Sequence, residues 1–160
     1  MPKIKLKLST DSINQALKEV KAYQKKVEKA ADDLVRRLTE QGVSLAQLNA
    51  SYMDIYDTGE LMRGIESQYK GKIGFVVSTA THSIFCEFGT GIVGAQNPHP
   101  EVAIAGWRYD VNEHGQLGWW YIGRDGKFHW TKGMPSRPYM YETAKMLRSM
   151  VVPLAKEVMC

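Results

Sequence analysis

Residues Lys3-Ile4-Lys5-Leu6-Lys7-Leu8 alternate basic and apolar side chains with a period of two. That period predicts a half-buried strand, with Ile4, Leu6 and Leu8 inward and the lysines toward water, as suits a sheet edge. Ser9, Thr10 and Asp11 then offer N-cap acceptors for a long helix. Its inward positions run Ile13, Leu17, Val20, Gln24, Val27, Ala31, Leu34 and Leu38, in steps of four and three with Gln24 the sole polar member. Gly42 stands just past the last apolar position and predicts the helix stop. Residues 43–56 favour neither period.

Asp57-Thr58-Gly59-Glu60-Leu61-Met62 reads as a turn leading into a helical turn or a strand. Residues 65–69 and 73–79 flank Lys70-Gly71-Lys72 and predict an antiparallel hairpin. Residues 83–88, Ser-Ile-Phe-Cys-Glu-Phe, suit a short strand or a tight helical turn, closed by Gly89-Thr90-Gly91. From Gly89 to Gly106 the composition turns to glycine and proline, which predicts an exposed loop. A second hairpin is predicted over 118–130, around Arg124-Asp125-Gly126 with its favoured Asp-Gly pair. Pro138 suits the first turn of a C-terminal helix with Met140, Ala144, Leu147, Val151, Leu154 and Val158 on one face. Pro153 predicts a kink or an end near Val152. The class is α+β: a mainly antiparallel sheet packed against a long N-terminal helix and a C-terminal helix.

Length and composition narrow this picture. At 160 residues, 44% apolar and 24% charged, the chain suits one soluble globular domain over 1–160, with the aromatic-rich hairpin at about 107–132 as an insertion. The N-terminus lacks the continuous apolar stretch of a secretory signal, and no run approaches a membrane span, so a cytoplasmic product without a membrane partner is expected. Two cysteines, Cys86 and Cys160, make no disulfide framework and are expected as reduced thiols. The formal charge of +4 arises entirely in residues 1–40, which hold ten Lys/Arg against six Asp/Glu. Lys18, Lys21, Lys25 and Lys29 read as a solvated helix face, with Asp32–Arg36 and Asp33–Arg37 as supporting pairs.

Candidate chemistry is sparse. Asp57-Thr58-Gly59 matches the tripeptide of aspartic proteases, but Glu60, Arg63 and Glu66 follow it where apolar strands belong, so a turn is the reading. His82 and Cys86 stand roughly 13 Å apart if extended and suit a metal only on a helix, where no second ligand pair accompanies them. Cys86 reads as a small core residue. His99, His114 and His129 are scattered and read as surface histidines. No phosphate loop, dinucleotide fingerprint, zinc-protease motif or nucleophile elbow is present, so no enzyme, cofactor or metal is expected.

Trp107, Tyr109, Trp119, Trp120, Tyr121, Phe128 and Trp130 gather in one stretch. One hairpin face would complete the core and the other would meet a neighbouring subunit, since such residues concentrate in interface centres. The alternative is a nucleic-acid-binding module that uses these aromatics and the basic first helix. The lack of a lysine-rich groove beside the aromatics weighs against specific nucleic-acid recognition.

Three segments in order carry a resemblance. Residues 84–91, Ile-Phe-Cys-Glu-Phe-Gly-Thr-Gly, are similar to an "aromatic, Glu, Phe, Gly, Thr" segment of the bacteriophage tail-component family. Pro135-Ser136-Arg137-Pro138-Tyr139-Met140 resembles the same family's "Pro, any, Arg, Pro, aromatic" start of a C-terminal helix. Residues 58–65 resemble its preceding "Thr-Gly, any, Leu, then basic" segment, with Gly64 where serine is often seen. The resemblance covers most of the chain; between Thr90 and Pro135 the tryptophan hairpin makes it longer than the usual pattern.

This resemblance implies a head-tail joining or tail-completion protein of long-tailed phages and prophages. Its place would be the neck or the head-proximal tail end, as a subunit of a homo-oligomeric ring, six-fold in the expected form. The implied partners are connector or neck proteins and the tail-tube protein, and the implied location is the virion, reached from the host bacterial cytoplasm. No catalysis is implied. Interface or motif roles fall on Thr58, Gly59, Phe85, Glu87, Phe88, Gly89 and Thr90, on Trp119 and Trp120, and on Arg137, Pro138 and Tyr139. Glu87 is expected to accept a charge-assisted hydrogen bond from Arg137, with Phe85 or Phe88 and Tyr139 beneath.

Overall fold

The computed structural model describes residues 9–55, 59–109 and 117–159. The strand expected over 3–8 lies outside these residues, as do Thr58, His114 and Cys160. The element order is α1 (Thr10–Tyr52), α2 (Glu60–Gly64), β1 (Ile65–Lys70), β2 (Ile73–Ser78), α3 (Ser83–Phe88), α4 (Gly91–Gln96) and α5 (Val102–Ala105). Then follow β3 (Trp119–Ile122), β4 (Phe128–Thr131), β5 (Gly133–Met134) and α6 (Tyr139–Met159). The α+β class holds, but the strands form two separate two-stranded antiparallel sheets rather than one.

Helix α1 starts where expected, with the Ser9 side chain accepting the Ser12 N–H. It does not stop at Gly42. A Cβ on that residue would come within 2.6 Å of Val76 Cγ2 and 3.0 Å of Leu147 Cδ1. Gly42 is therefore the point where β2 and α6 both press against α1, a packing glycine inside a helix rather than a cap. The helix runs on to Tyr52 and is stopped by Asp54, whose φ of 55° is left-handed. The Asp54 N–H donates to Ser51 O and the Ile55 N–H to Ala50 O, which closes a Schellman motif over buried Ile55. Asp tolerates this conformation better than most side chains, so a sequence search for glycine overlooks it.

Helix α6 runs antiparallel to α1, with Asn49 Nδ2 donating to Thr143 Oγ1 near one end and Arg37 facing Glu157 at 3.9 Å near the other. The helix does not end near Val152; it continues through Pro153 to Met159. The hydrogen bond lost at proline is offset by half-buried Leu154, Ala155 and Val158. The body core joins Ala46, Ala50, Ile55, Leu61, Ile65, Ala80, Cys86 and Tyr139.

Because α6 ends beside Arg37, the first half of α1 extends past the body, and every residue from Leu17 to Lys29 is exposed. The inward face expected from Ile13 onward is thus realised only from Ala31. Asp32–Arg36 and Asp33–Arg37 do not close as ion pairs: Arg36 lies over the Tyr69 ring at 6.0 Å and Arg37 turns to Glu157.

Both hairpins form near their expected bounds, with Lys70 opposite Ile73 and Ile122 opposite Phe128 as the turn-flanking pairs. The segment 89–106 is not a plain exposed loop. It folds into α4 and α5 and buries Gly89, Gly91, Gly94 and His99. Among the described residues no helix is long and apolar enough to cross a membrane.

Gly42→Ala should destabilise the fold by about 1–3 kcal/mol through overpacking. At this size the thermal midpoint should fall by roughly 2–4 °C per kcal/mol, read by circular dichroism. An unchanged midpoint would mean that Val76 and Leu147 give way freely.

Candidate functional site

Residues 83–88 adopt the helical alternative, α3, in which the Cys86 N–H donates to His82 O. Gly89 ends the helix at φ 78°, where a Cβ would strike the Ser136 backbone nitrogen at 2.6 Å. That close approach sets 85–91 against 133–137. Thr90 and Gly91 bridge Met134 and Gly133, and the Met134 N–H donates to Thr90 Oγ1. The Arg137 N–H donates to Cys86 O, and Ser136 Oγ donates to Glu87 O at 2.6 Å. Two of the three motif segments are therefore one structural unit.

Glu87 lies at its centre, 8% exposed. Its Oε2 accepts the Met140 N–H and its Oε1 the Tyr141 N–H, each at 2.9 Å. These are amides of the first turn of α6, which have no partner within their own helix. Pro138 begins that turn without a side-chain acceptor, so a carboxylate 53 residues upstream of Met140 serves as the cap. The positive end of the helix dipole favours the negative charge there. Glu87 does join the two segments, but not through Arg137: that guanidinium donates from Nη1 to Asp54 O at 3.2 Å, tying the α1 stop to the start of α6.

His99 is the residue that sequence reasoning misplaced. Expected at the surface, it is 4% exposed, with Nε2 3.2 Å from Glu87 Oε1. Its Nδ1 accepts the Glu101 N–H at 3.0 Å, so the ring proton belongs on Nε2 and points at Glu87. The ring lies tilted against Phe88 at 4.4 Å, and Phe88 in turn stacks on Trp107 at 5.3 Å. Phe85 meets Trp107 edge-on, and Trp107 Nε1 donates to Gly89 O. Tyr139 is buried in the core, whereas Phe88 packs toward His99 instead. The sequence signal for His99 is its position between Pro98 and Pro100, which stiffen the segment that delivers it.

Beside this unit lies a cavity of about 350 Å³ lined in part by His82, Cys86, Arg124 and Arg137. Burial pushes the Cys86 thiol up, against the lowering effect of Arg137, so the thiolate that a nucleophile needs is disfavoured. His82 and Cys86 are one helical turn apart, but no group of three metal-ligating side chains occurs among the described residues. Both Glu87 oxygens are engaged, which makes the carboxylate a fastening rather than a free base. Gly59, buried at φ 73°, meets the backbone need of the turn before α2.

The second hairpin presents the other candidate surface. Trp120 opposes Trp130 and Ile122 opposes Phe128, which places all four on one face, 47–70% exposed. The tryptophans meet edge to face at 5.3 Å. On the opposite face the Trp119 ring lies against Gly91, and Arg124 at the turn lines the cavity together with Asp54 and Arg137; Tyr121 and His129 stack on each other at 5.5 Å in the open. The hairpin thus completes less of the core than expected and shows more of itself to solvent.

Glu87→Ala should cost about 3 kcal/mol, since it leaves two part-buried amides and the buried His99 Nε2–H without an acceptor. Glu87→Gln should cost roughly half as much in urea melts, as one amide oxygen remains. Equal stability of all three proteins would refute the capping role. Burial also pushes the Tyr139 phenol up. With Cys86 and Tyr139 both raised, the folded chain holds protons that the unfolded chain releases, so stability falls as pH rises. The decline should begin near pH ~8.5 and steepen past pH ~10, the ordinary values of the two groups. Thermal midpoints across this range check it, and Tyr139→Phe should flatten the upper part.

No protein-family model, curated protein or solved structure matches the chain.

Proposed function

We propose that the chain is a structural, non-enzymatic subunit of a tailed-phage or prophage particle, placed at the head-tail junction or the head-proximal end of the tail. Support comes first from the motif segments at 84–91 and 135–140. Side chains and amides of these two stretches meet in one buried unit, as segments that define a common subunit architecture should.

The observation that carries the reading is the hairpin face of Trp120, Ile122, Phe128 and Trp130. A contiguous apolar patch on a hairpin face is costly in water and marks an interaction surface. Large aromatics anchor interface centres, where excluded water makes each worth most. A ring closes when such a patch meets a different surface on the next copy and the rotation returns on itself. In this reading the hairpin supplies one half of that contact, and ends of the connector or tail tube complete the assembly.

In particles produced by a host carrying the gene, chain-specific antibody should label the joint between head and tail. A Trp120→Ser/Phe128→Ser chain with unchanged circular dichroism should leave heads and tails unjoined. Particles that lack the chain, or that assemble normally with the variant, would overturn the proposal.

A further inference from the structure

The exposed half of α1 carries a second apolar surface. Ile13, Leu17, Val20, Gln24, Val27, Ala31, Leu34 and Leu38 follow an unbroken alternation of four and three, which averages 3.5 residues per turn. That is the heptad of a coiled coil, with Leu17, Gln24, Ala31 and Leu38 at a and Ile13, Val20, Val27 and Leu34 at d. From Ile13 to Val27 the apolar members are 41–53% exposed, and no described residue covers them. One polar residue at one a position is the device by which coiled coils select register, and Gln24 occupies that place. Its amide donates to Glu28 Oε1 at 3.0 Å, so Glu28 leans toward the seam.

We infer that the free half of α1 pairs with the same segment of a second copy as an antiparallel two-stranded coiled coil. The flanking charges choose the direction. The e positions hold Asn14, Lys21 and Glu28, and the g positions Ala16, Tyr23 and Ala30. A parallel pair brings e against g and sets Lys21 opposite Ala16 and Glu28 opposite Tyr23, with no ionic contact. An antiparallel pair brings e against e. In the register that layers Gln24 on Val27 of the second copy, Lys21 meets Glu28 twice, once on each side of the two-fold axis.

The same register brings a further apolar layer together. It aligns Leu17 with Leu34 of the second copy, so the overlap spans about 26 Å of helix and ends near the level where α6 stops beside Arg37. The hairpin face is a poorer occupant for this stripe, because Lys127 and Lys132 beside it would meet a helix that is itself lysine-rich. The pairing is isologous and independent of the ring contact proposed above; it stands or falls without the phage reading.

The test uses the full chain in a Cys160→Ser background. Light scattering during size exclusion at roughly 100 µM should give a dimer, a concentration at which even a micromolar pair is populated. Leu17→Glu should weaken it by at least about tenfold, with α1 helicity retained by circular dichroism. Lys21→Glu should weaken it several-fold, and Lys21→Glu/Glu28→Lys should restore it. When Gln24→Cys and Val27→Cys chains are mixed with oxidised glutathione, the mixed disulfide should dominate. A monomer at that concentration, a dimer indifferent to Leu17→Glu, or predominant Gln24→Cys self-coupling would each overturn the inference.

Discussion

The structure depends on a single carboxylate placed where a helix starts. Helix α6 opens at a proline, which sets its first backbone angle but offers no side-chain cap, and the amides of Met140 and Tyr141 have no acceptor within the helix. Left alone they would each lack a partner; Glu87 supplies one oxygen to each. Because the partner lies on α3, helix initiation and tertiary closure become the same event. The His99 ring fills the remaining side of Glu87 Oε1 and draws the glycine- and proline-rich segment over the site.

That closure accounts for the shape of what lies around it. With 85–91 clasped against 133–137, the chain between them is held at its two ends, and the aromatic hairpin keeps one face open to solvent while Trp119 and Arg124 reach the body. On the other side, the body core is small and rich in alanine, so helices approach closely over a short length. Gly42 marks the tightest point, where β2 and α6 meet α1 together. A 43-residue helix on so small a body must overhang, and its uncovered stripe follows directly from the 21-residue length of its partner.

The chemistry of the centre and that of the surface point in the same direction. Glu87 and His99 are spent on each other and on backbone amides, and the Cys86 thiol is held protonated by its surroundings. What the molecule offers to others lies outside: four large apolar side chains on a hairpin, and a heptad on a helix with no cover among the described residues. Each is too apolar to face water without cause and too well patterned to be incidental. A subunit that works by fitting copies and neighbours is consistent with both surfaces.

Local pattern determined much of this by itself. Both hairpins were legible because a period of two interrupted by Lys-Gly-Lys or Arg-Asp-Gly leaves the backbone few other choices. The α+β class and the two long helices were legible for the same reason, as 3.6-residue periodicity is a property of neighbouring positions. Whether a glycine stops a helix or lets another element approach is not local, and Gly42 was decided by Val76 and Leu147. The length of α6 past Pro153 was decided by packing against α1, and the helical state of 83–88 was settled only in the folded chain. His99 and Arg137 exchanged their expected roles because a carboxylate takes whichever donors geometry brings nearest, and only the folded chain sets that geometry.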